Sequence, residues 1–509
     1  MRPEVRGTSR IARLACLAGT ALASLLTACA VGPNYKAPPA PKTPGFVAPD
    51  ALPAVTASAP GDGGDAQHFV EDLDIPGQWW TLFQSPTLNA LIERGLANSP
   101  TLASAQASLR QAKETVAAER GSFFPSLSGA VQATRQSQPG AALGLPQIGS
   151  LTYTLDSATL NVSYTLDAFG GVRRQVEALG AQAEYEQFSL EAAYLTLTAN
   201  IVTAAINEAS LRAQIDANEK IAAAQQRQLD ITQRRMTAGG ASRADVLQQQ
   251  STLQTTLAAL PTLRGQLAQQ RNLLAAYVGD LPADYAGPEF TLDSLHLPSD
   301  LPVSLPSKFV EQRPDVREYA ALLHESTAQI GVATANMLPQ ITLTGSYGSE
   351  AASFGSLFAT GTNIWSIAGS LTQPLFKGGQ LLHQRRAAVA AAQAAEANYR
   401  STVITAFENV SDTLHALHAD AEALAAQDLA ERTAAESLKL VQAQYQSGGA
   451  SYLQVLTSEQ SYQNAEVALV KARAQRYADS AALFQALGGG WWNRSDVADN
   501  SGGCCKRQM

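Results

Sequence analysis

His415 and His418 stand one helical turn apart, with Asp412 just before them. Imidazoles and a carboxylate at that spacing can share a divalent cation. No cysteine and no second cluster nearby completes such a set, so a solvated helix face is the plainer account. His68, His296, His324 and His383 are scattered, and no nucleophile elbow, phosphate loop or zinc motif occurs. Asp245 offers a different chemistry. It opens a helical pattern after Gly239-Gly240, where the helix dipole favours a carboxylate. The residues therefore predict no catalytic or metal site, no cofactor and no enzyme.

Of the four cysteines, Cys16, Cys29, Cys504 and Cys505, none lies in the body of the chain, so no disulfide framework staples it. Residues 1–28 have a basic start and an apolar run from Leu14 to Leu26, the pattern of a secretory signal. The segment ends in Leu26-Thr27-Ala28-Cys29, which resembles the lipobox of bacterial lipoproteins. That resemblance implies cleavage before Cys29 and acylation of it, each buried methylene contributing ~0.8 kcal/mol of anchoring. Ala30 follows rather than the Asp that tends to hold lipoproteins at the inner membrane, which favours the outer membrane.

Charged residues make up 16% of the chain and aromatics 6%, with Ala, Gln, Leu, Ser and Thr dominant in the middle. That mix suits long helices packed through small side chains. The formal charge is −8, and no basic run occurs, which argues against nucleic acid as a partner.

Around Asp245 the stretch Ala238-Gly239-Gly240-Ala241-Ser242 ends one glutamine- and alanine-rich helical pattern and starts the next. It returns as Ser447-Gly448-Gly449-Ala450-Ser451. Gly closes a helix in the left-handed conformation and Ser caps the next one, so each stretch reads as the tip of a helical hairpin. Ser99-Pro100 matches Arg313-Pro314, Phe124-Pro125 matches Leu338-Pro339, and Gly279 matches Gly488, in the same order. The chain is two copies of one module.

Helices are expected at about 86–119, 172–236, 242–278, 306–336, 381–446 and 451–486, the 172–236 helix reaching roughly 98 Å. Val246, Leu253, Leu260, Leu267 and Leu274 form a seven-residue stripe, as do Ile215, Ala222, Leu229 and Met236, and Val455, Tyr462, Leu469 and Leu483. Such stripes seat helices in coiled-coil seams. Between the first and second helix of each module, apolar and polar residues alternate: Leu127 to Thr134, Leu160 to Asp167, Ile341 to Tyr347 and Trp365 to Thr372. Four strands of about nine to eleven residues suffice to cross a bilayer, although any half-buried sheet alternates in this way. Four cannot close a membrane barrel, so spanning strands must be pooled among chains. No mature segment has some 18 continuous apolar residues.

Cys29-Ala30-Val31-Gly32-Pro33-Asn34-Tyr35, Trp79-Trp80-Thr81-Leu82-Phe83 with Leu88, Leu91 and Ile92, and Arg313-Pro314-Asp315-Val316 stand in order with Leu338-Pro339, Gln373-Pro374-Leu375-Phe376, Gly378-Gly379 and both tips. In these residues, from about Leu26 to Trp492, the chain resembles the TolC/OprM-like outer-membrane factors of Gram-negative efflux systems, in the NodT-like lipoprotein branch. The resemblance implies a homotrimer, mainly α with a membrane β-barrel portion. A twelve-stranded barrel would sit on a twelve-helix periplasmic α-barrel, each repeat giving long coiled-coil helices and a β-hairpin. It further implies an outer-membrane exit duct that works with a periplasmic adaptor and an inner-membrane RND-type pump and performs no chemistry. Gate or tip residues would be Gly239, Gly240, Arg243 and Asp245 in one repeat, and Tyr445, Gly448, Gly449 and Gln454 in the other. Gln454 and Thr457 depart from the acidic residues common in relatives, and Ala450 stands where TolC has a gating Arg.

The expected map is a signal peptide at 1–28, a lipid-anchored Pro/Ala-rich tether at 29–80 and the first repeat at 81–280. An inter-repeat linker at 281–305, the second repeat at 306–488 and a Gly-rich flexible tail at 489–509 complete it. A type I protein-secretion duct shares the fold. A periplasmic adaptor, which has one hairpin flanked by small β domains where this chain has two, or a structural coiled-coil lipoprotein is the alternative of a different class.

Overall fold

The computed structural model describes residues 30–48, 51–144, 147, 149–303 and 305–494. The signal segment, Cys29 with its lipidation, and Cys504 and Cys505 lie outside the described residues. In chain order the elements are β1 (His68–Glu71), α1 (Pro86–Asn98), α2 (Pro100–Arg120), β2 (Ser126–Pro139), β3 (Ser150–Leu166), α3 (Gly171–Thr237) and α4 (Arg243–Tyr277). They continue as β4 (Asp300–Val303), α5 (Pro306–Gln312), α6 (Pro314–Ala335), β5 (Gln340–Ala351), β6 (Asn363–Thr372), α7 (Gln380–Gln446) and α8 (Tyr452–Ala486).

The helices expected at 86–119 and 306–336 are each two helices, broken before Pro100 and Pro314. Proline has no N–H to give and drives the residue before it out of the helical region. Ser99 sits at ψ 119° and Arg313 at ψ 123° accordingly. Both breaks are met by a matching glycine. Gly279 and Gly488 have φ of +80° and +95°, and a Cβ on either would lie 2.6 Å from the carbonyl of Asn98 or of Gln312. The duplicated Gly is thus a duplicated close approach to the residue two before the proline.

The chain forms two compact units. Among the described residues, unit 1 is drawn from 30–37, Leu109–Tyr185 and Tyr319–Tyr399, and unit 2 from Pro38–Ser108, Glu186–Glu318 and 400–494. In unit 1 the four long strands form one antiparallel sheet in the order β2-β3-β5-β6. β2 has 14 residues and β3 has 17, longer than the alternation alone indicates. Arg174, 4% exposed, fixes the start of the described chain here. Its guanidinium donates to the Val31 carbonyl at 3.1 Å and to Asn34 Oδ1 at 2.6 Å, and pairs with Glu177 at 2.7 Å. Tyr35 stacks on His324 with ring centroids 4.4 Å apart.

Unit 2 holds the large aromatic core. Trp79 and Trp80 are 1% exposed, and Trp79 stacks on Phe484 at 5.5 Å. The tether and the inter-repeat linker are both built into this unit. β1, from the tether, pairs in parallel with β4, from the linker, His68 opposite Asp300 and Glu71 opposite Val303. Residues 489–494, placed by sequence in the flexible tail, are packed. Trp491 Nε1 donates to the Gln312 carbonyl at 2.6 Å, and Arg494 pairs with Glu191 at 2.7 Å.

The heptad phase of α8 also contains a surprise for a stripe reading. Arg476 occupies the position between Leu469 and Leu483 and is fully buried. It donates to Gln67 Oε1 at 2.9 Å, Thr56 Oγ1 at 3.3 Å and the Asp65 carbonyl at 3.1 Å, all in the former tether. A buried guanidinium needs such acceptors, because its lost hydration is otherwise uncompensated.

α3 includes an 18-residue window of mean hydropathy 1.2, half of it buried within the chain. Ala199, Ile201, Val202, Ala205 and Ile206, all buried in unit 2, make this core packing of a helix.

Candidate functional site

Two surfaces carry the functional argument, one in each unit. In unit 1 the strand register sorts the sheet into two faces. Leu160 stands opposite Tyr347 and Tyr347 opposite Trp365; Leu127, Val162, Gly345 and Ile367 make the next row on that face. Leu160, Tyr347, Trp365 and Ile367 are 54%, 60%, 73% and 84% exposed, a broad apolar surface left open by the described residues. On the opposite face run Ser128, Asn161, Ser346 and Ser366, with the Ser346 and Ser366 hydroxyls 2.8 Å apart. Among the described residues the outer strands of the sheet, β2 and β6, each have a neighbour on one side only. A row of free N–H and C=O groups along each edge is a template for another strand.

In unit 2 the two helical tips have the same build. Gly239 and Gly448 have φ of +82° and +84°. The N–H groups of Gly240 and Gly449 return to the carbonyls of Arg235 and Gln444, both at 2.8 Å, closing each helix. The second glycine of each pair keeps an ordinary φ, so only the first is required by conformation. Ser242 then caps α4. Its hydroxyl accepts from Asp245 N at 3.1 Å while Asp245 Oδ2 accepts from Ser242 N at 2.8 Å. Ser451 and Gln454 repeat the exchange at the start of α8, Gln454 Oε1 accepting from Ser451 N at 2.7 Å. Asp245 and Gln454 therefore occupy one and the same capping role, a device worth about 1 kcal/mol. Spacing alone could have revealed it, as Ser-x-x-Asp and Ser-x-x-Gln. Arg243, the first residue of α4, is exposed.

The seam between α3 and α4 forms as the stripes indicate, through Ala222, Leu229, Val246 and Leu253. Sequence reasoning missed the polar stitch that joins the hairpins. Tyr452 at the start of α8 donates its hydroxyl to Gln249 Oε1 of α4, and Gln249 Nε2 donates to the Gln225 carbonyl of α3 at 3.3 Å. Tyr445 lies 5.5 Å from Tyr452, and the Arg235 guanidinium lies 4.4 Å from the Tyr445 ring. Burial pushes the Tyr452 phenol well above its ordinary pKa, against a smaller opposing effect from Thr232, so it stays a donor. One available signal was the polar Gln249 and Thr256 interleaved with the stripe Val246, Leu253 and Leu260. His418, considered for metal binding, stands 3.5 Å from Glu422 one turn on.

A family profile described as outer membrane efflux protein matches residues 91–280 and 305–489. The antibiotic efflux pump outer membrane protein ArpC of Pseudomonas putida is 30% identical over 485 residues, covering 94% of this chain and 96% of ArpC. Nodulation protein T of Rhizobium leguminosarum bv. trifolii is 27% identical over 476 residues, 92% of this chain and 96% of that protein. The solved outer-membrane channel OprN superposes with a TM-score of 0.81 at 26% identity, over 91% of this chain and all of OprN. The two repeats, the open sheet with its bare apolar face and the paired tips thus have one explanation: the chain belongs to the outer membrane efflux protein family.

Proposed function

We propose that three copies of this chain assemble into the exit duct of a tripartite efflux system. The duct would take solutes from an inner-membrane RND-type pump through a periplasmic adaptor. The outer-membrane location and the efflux-channel role go with the family and its named members. The observation that supports the trimer is the sheet itself, four strands with two open edges and a large exposed apolar face. A lipid bilayer tolerates no open strand edge, and four strands do not close. Three copies would supply twelve, with outer-membrane lipid against Trp365 and Ile367 and water against Ser346 and Ser366. Acylation at Cys29 would add a second attachment.

Cysteines placed along β2 at Ser126 or Ser128 and along β6 at Ser366 or Ser370 test the pooling, in a Cys504→Ser, Cys505→Ser background. Mild oxidation in membranes is expected to yield dimers and trimers and nothing larger. Monomers with every pair, or a ladder that continues past three, would overturn the closed trimer.

The tip residues Gly239, Gly240, Arg243, Asp245, Tyr445, Gly448, Gly449 and Gln454 form the periplasmic gate in this reading. Three Asp245 carboxylates around one lumen would concentrate cations by their summed potential, screened over about 10 Å at 0.1 M salt. Asn at this position keeps a cap acceptor and loses only the charge. Asp245→Asn is therefore expected to lower cation preference in single-channel recordings at low salt with little change in thermal stability, and Gln454→Asp to raise it. Unchanged selectivity in Asp245→Asn would leave the residue a helix cap alone.

A further inference from the structure

Unit 2 contains a cavity of about 320 Å³ between α3, α7 and α8. Its lining includes Ile221, Gln225 and Ile231 of α3, Leu438 of α7, and Glu459 and Tyr462 of α8. That volume lies at the lower end of small-molecule sites and is roughly ten times a water's share of liquid volume. We infer that this cavity binds a small organic cation, a primary ammonium on a compact apolar body.

Two buried polar side chains point to this ligand. Gln225 is 2% exposed, and neither its amide nitrogen nor its amide oxygen has a hydrogen-bond partner among the described residues. Glu459 is 8% exposed, and its Oε2 is likewise unpartnered. Uncompensated polar atoms in a core are costly, a carboxylate most of all. Among the described residues no basic group answers Glu459. Arg227, the one basic residue in the lining, is solvent-exposed. Burial pushes the Glu459 carboxyl up, with Gln249 and Gln442 partly offsetting it. Glu466 and Glu431 add further negative charge around Tyr462, offset in part by Lys220, which is itself paired with Asp216. An ammonium group would satisfy Glu459 by a charge-assisted bond and give a second N–H to the Gln225 amide oxygen. Ile221, Ile231 and Leu438 provide an apolar wall for the ligand body, and the Tyr462 ring a face for the cation. An anion would meet Glu459, and a neutral alcohol could not offset the cost of charging this buried carboxyl, whereas an ammonium does. The site lies within one chain and stands independently of the duct reading.

The test uses para-fluorobenzylamine as the probe, with para-fluorobenzyl alcohol as its neutral twin. Fluorine NMR titration is run on the full-length protein in detergent. The amine is expected to bind about tenfold or more tightly than the alcohol, the difference reporting the ion pair. Glu459→Gln should abolish that preference, and Gln225→Leu should weaken amine binding several-fold. Because Glu459→Gln touches a buried position, a second variant guards against misfolding. Ile231 is 47% exposed, so Ile231→Trp should fold while filling the cavity and eliminate amine binding. Equal binding of amine and alcohol, an unaltered preference in folded Glu459→Gln, or full binding in Ile231→Trp would each overturn the assignment.

Discussion

Trp79→Ala is expected to destabilise unit 2 by about 3–5 kcal/mol, the usual cost of emptying a fully buried Trp site. Trp79 is 1% exposed. It stacks on Phe484 at 5.5 Å and meets Trp80 and Phe83 edge-on at 6.2 and 6.3 Å. These partners come from the segment before α1 and from the end of α8, so the indole ties together residues about 400 apart in sequence. A domain's net stability is only about 5–15 kcal/mol, so the loss is a large share of it. The Trp79 Nε1 has no hydrogen-bond partner among the described residues. Trp79→Phe therefore keeps an aromatic ring while removing a buried, unmet donor, and should cost clearly less than Trp79→Ala. Thermal unfolding followed by circular dichroism, with the yield of folded protein from membranes, measures both. A Trp79→Ala midpoint equal to wild type would remove Trp79 from the core account.

Ile367→Arg is the second large effect expected. Ile367 lies in the middle of β6, 84% exposed, in the row with Leu127, Val162 and Gly345. If this face meets lipid, an Arg near the bilayer midplane costs about 2–4 kcal/mol, and a trimer carries three of them. Ser366→Arg, one residue earlier, turns the same charge to the polar face beside Ser346 and should be tolerated. The measurement is assembly of a detergent-resistant oligomer in outer-membrane fractions, together with susceptibility of the host to toxic solutes. Ile367→Arg should lose both assembly and protection, while Ser366→Arg should retain assembly. Equal behaviour of the two substitutions would deny that the sheet has a lipid face.

Much of the architecture was legible in the chain because it is written in short periods. Alternation with period two located all four long strands, since successive strand side chains must point to opposite faces. The Gly-to-Ser switch located both tips, since closing one helix and capping the next are chemistry of a few adjacent residues. Two seven-residue stripes, one through Ala222 and Leu229 of α3 and one through Val246 and Leu253 of α4, located a real seam. The breaks at Ser99-Pro100 and Arg313-Pro314 were equally local, yet a helical pattern on both sides masked them.

The polar partners were another matter. Arg476 falls in a heptad position that sequence reads as a lapse in the stripe. It is buried because Thr56, Asp65 and Gln67 arrive from more than 400 residues away. β1 and β4 show no period of their own, and they became strands by pairing with each other across 232 residues. Gln249 looked like one glutamine among many until Tyr452 of the other repeat met it. The sequence by itself determined the repeats, the strands and the turns, because backbone conformation and side-chain facing are set by neighbours a few residues away. Only the tertiary structure decided which polar groups are buried, because burial of a charge or an amide is affordable only where a distant segment brings the matching hydrogen bond.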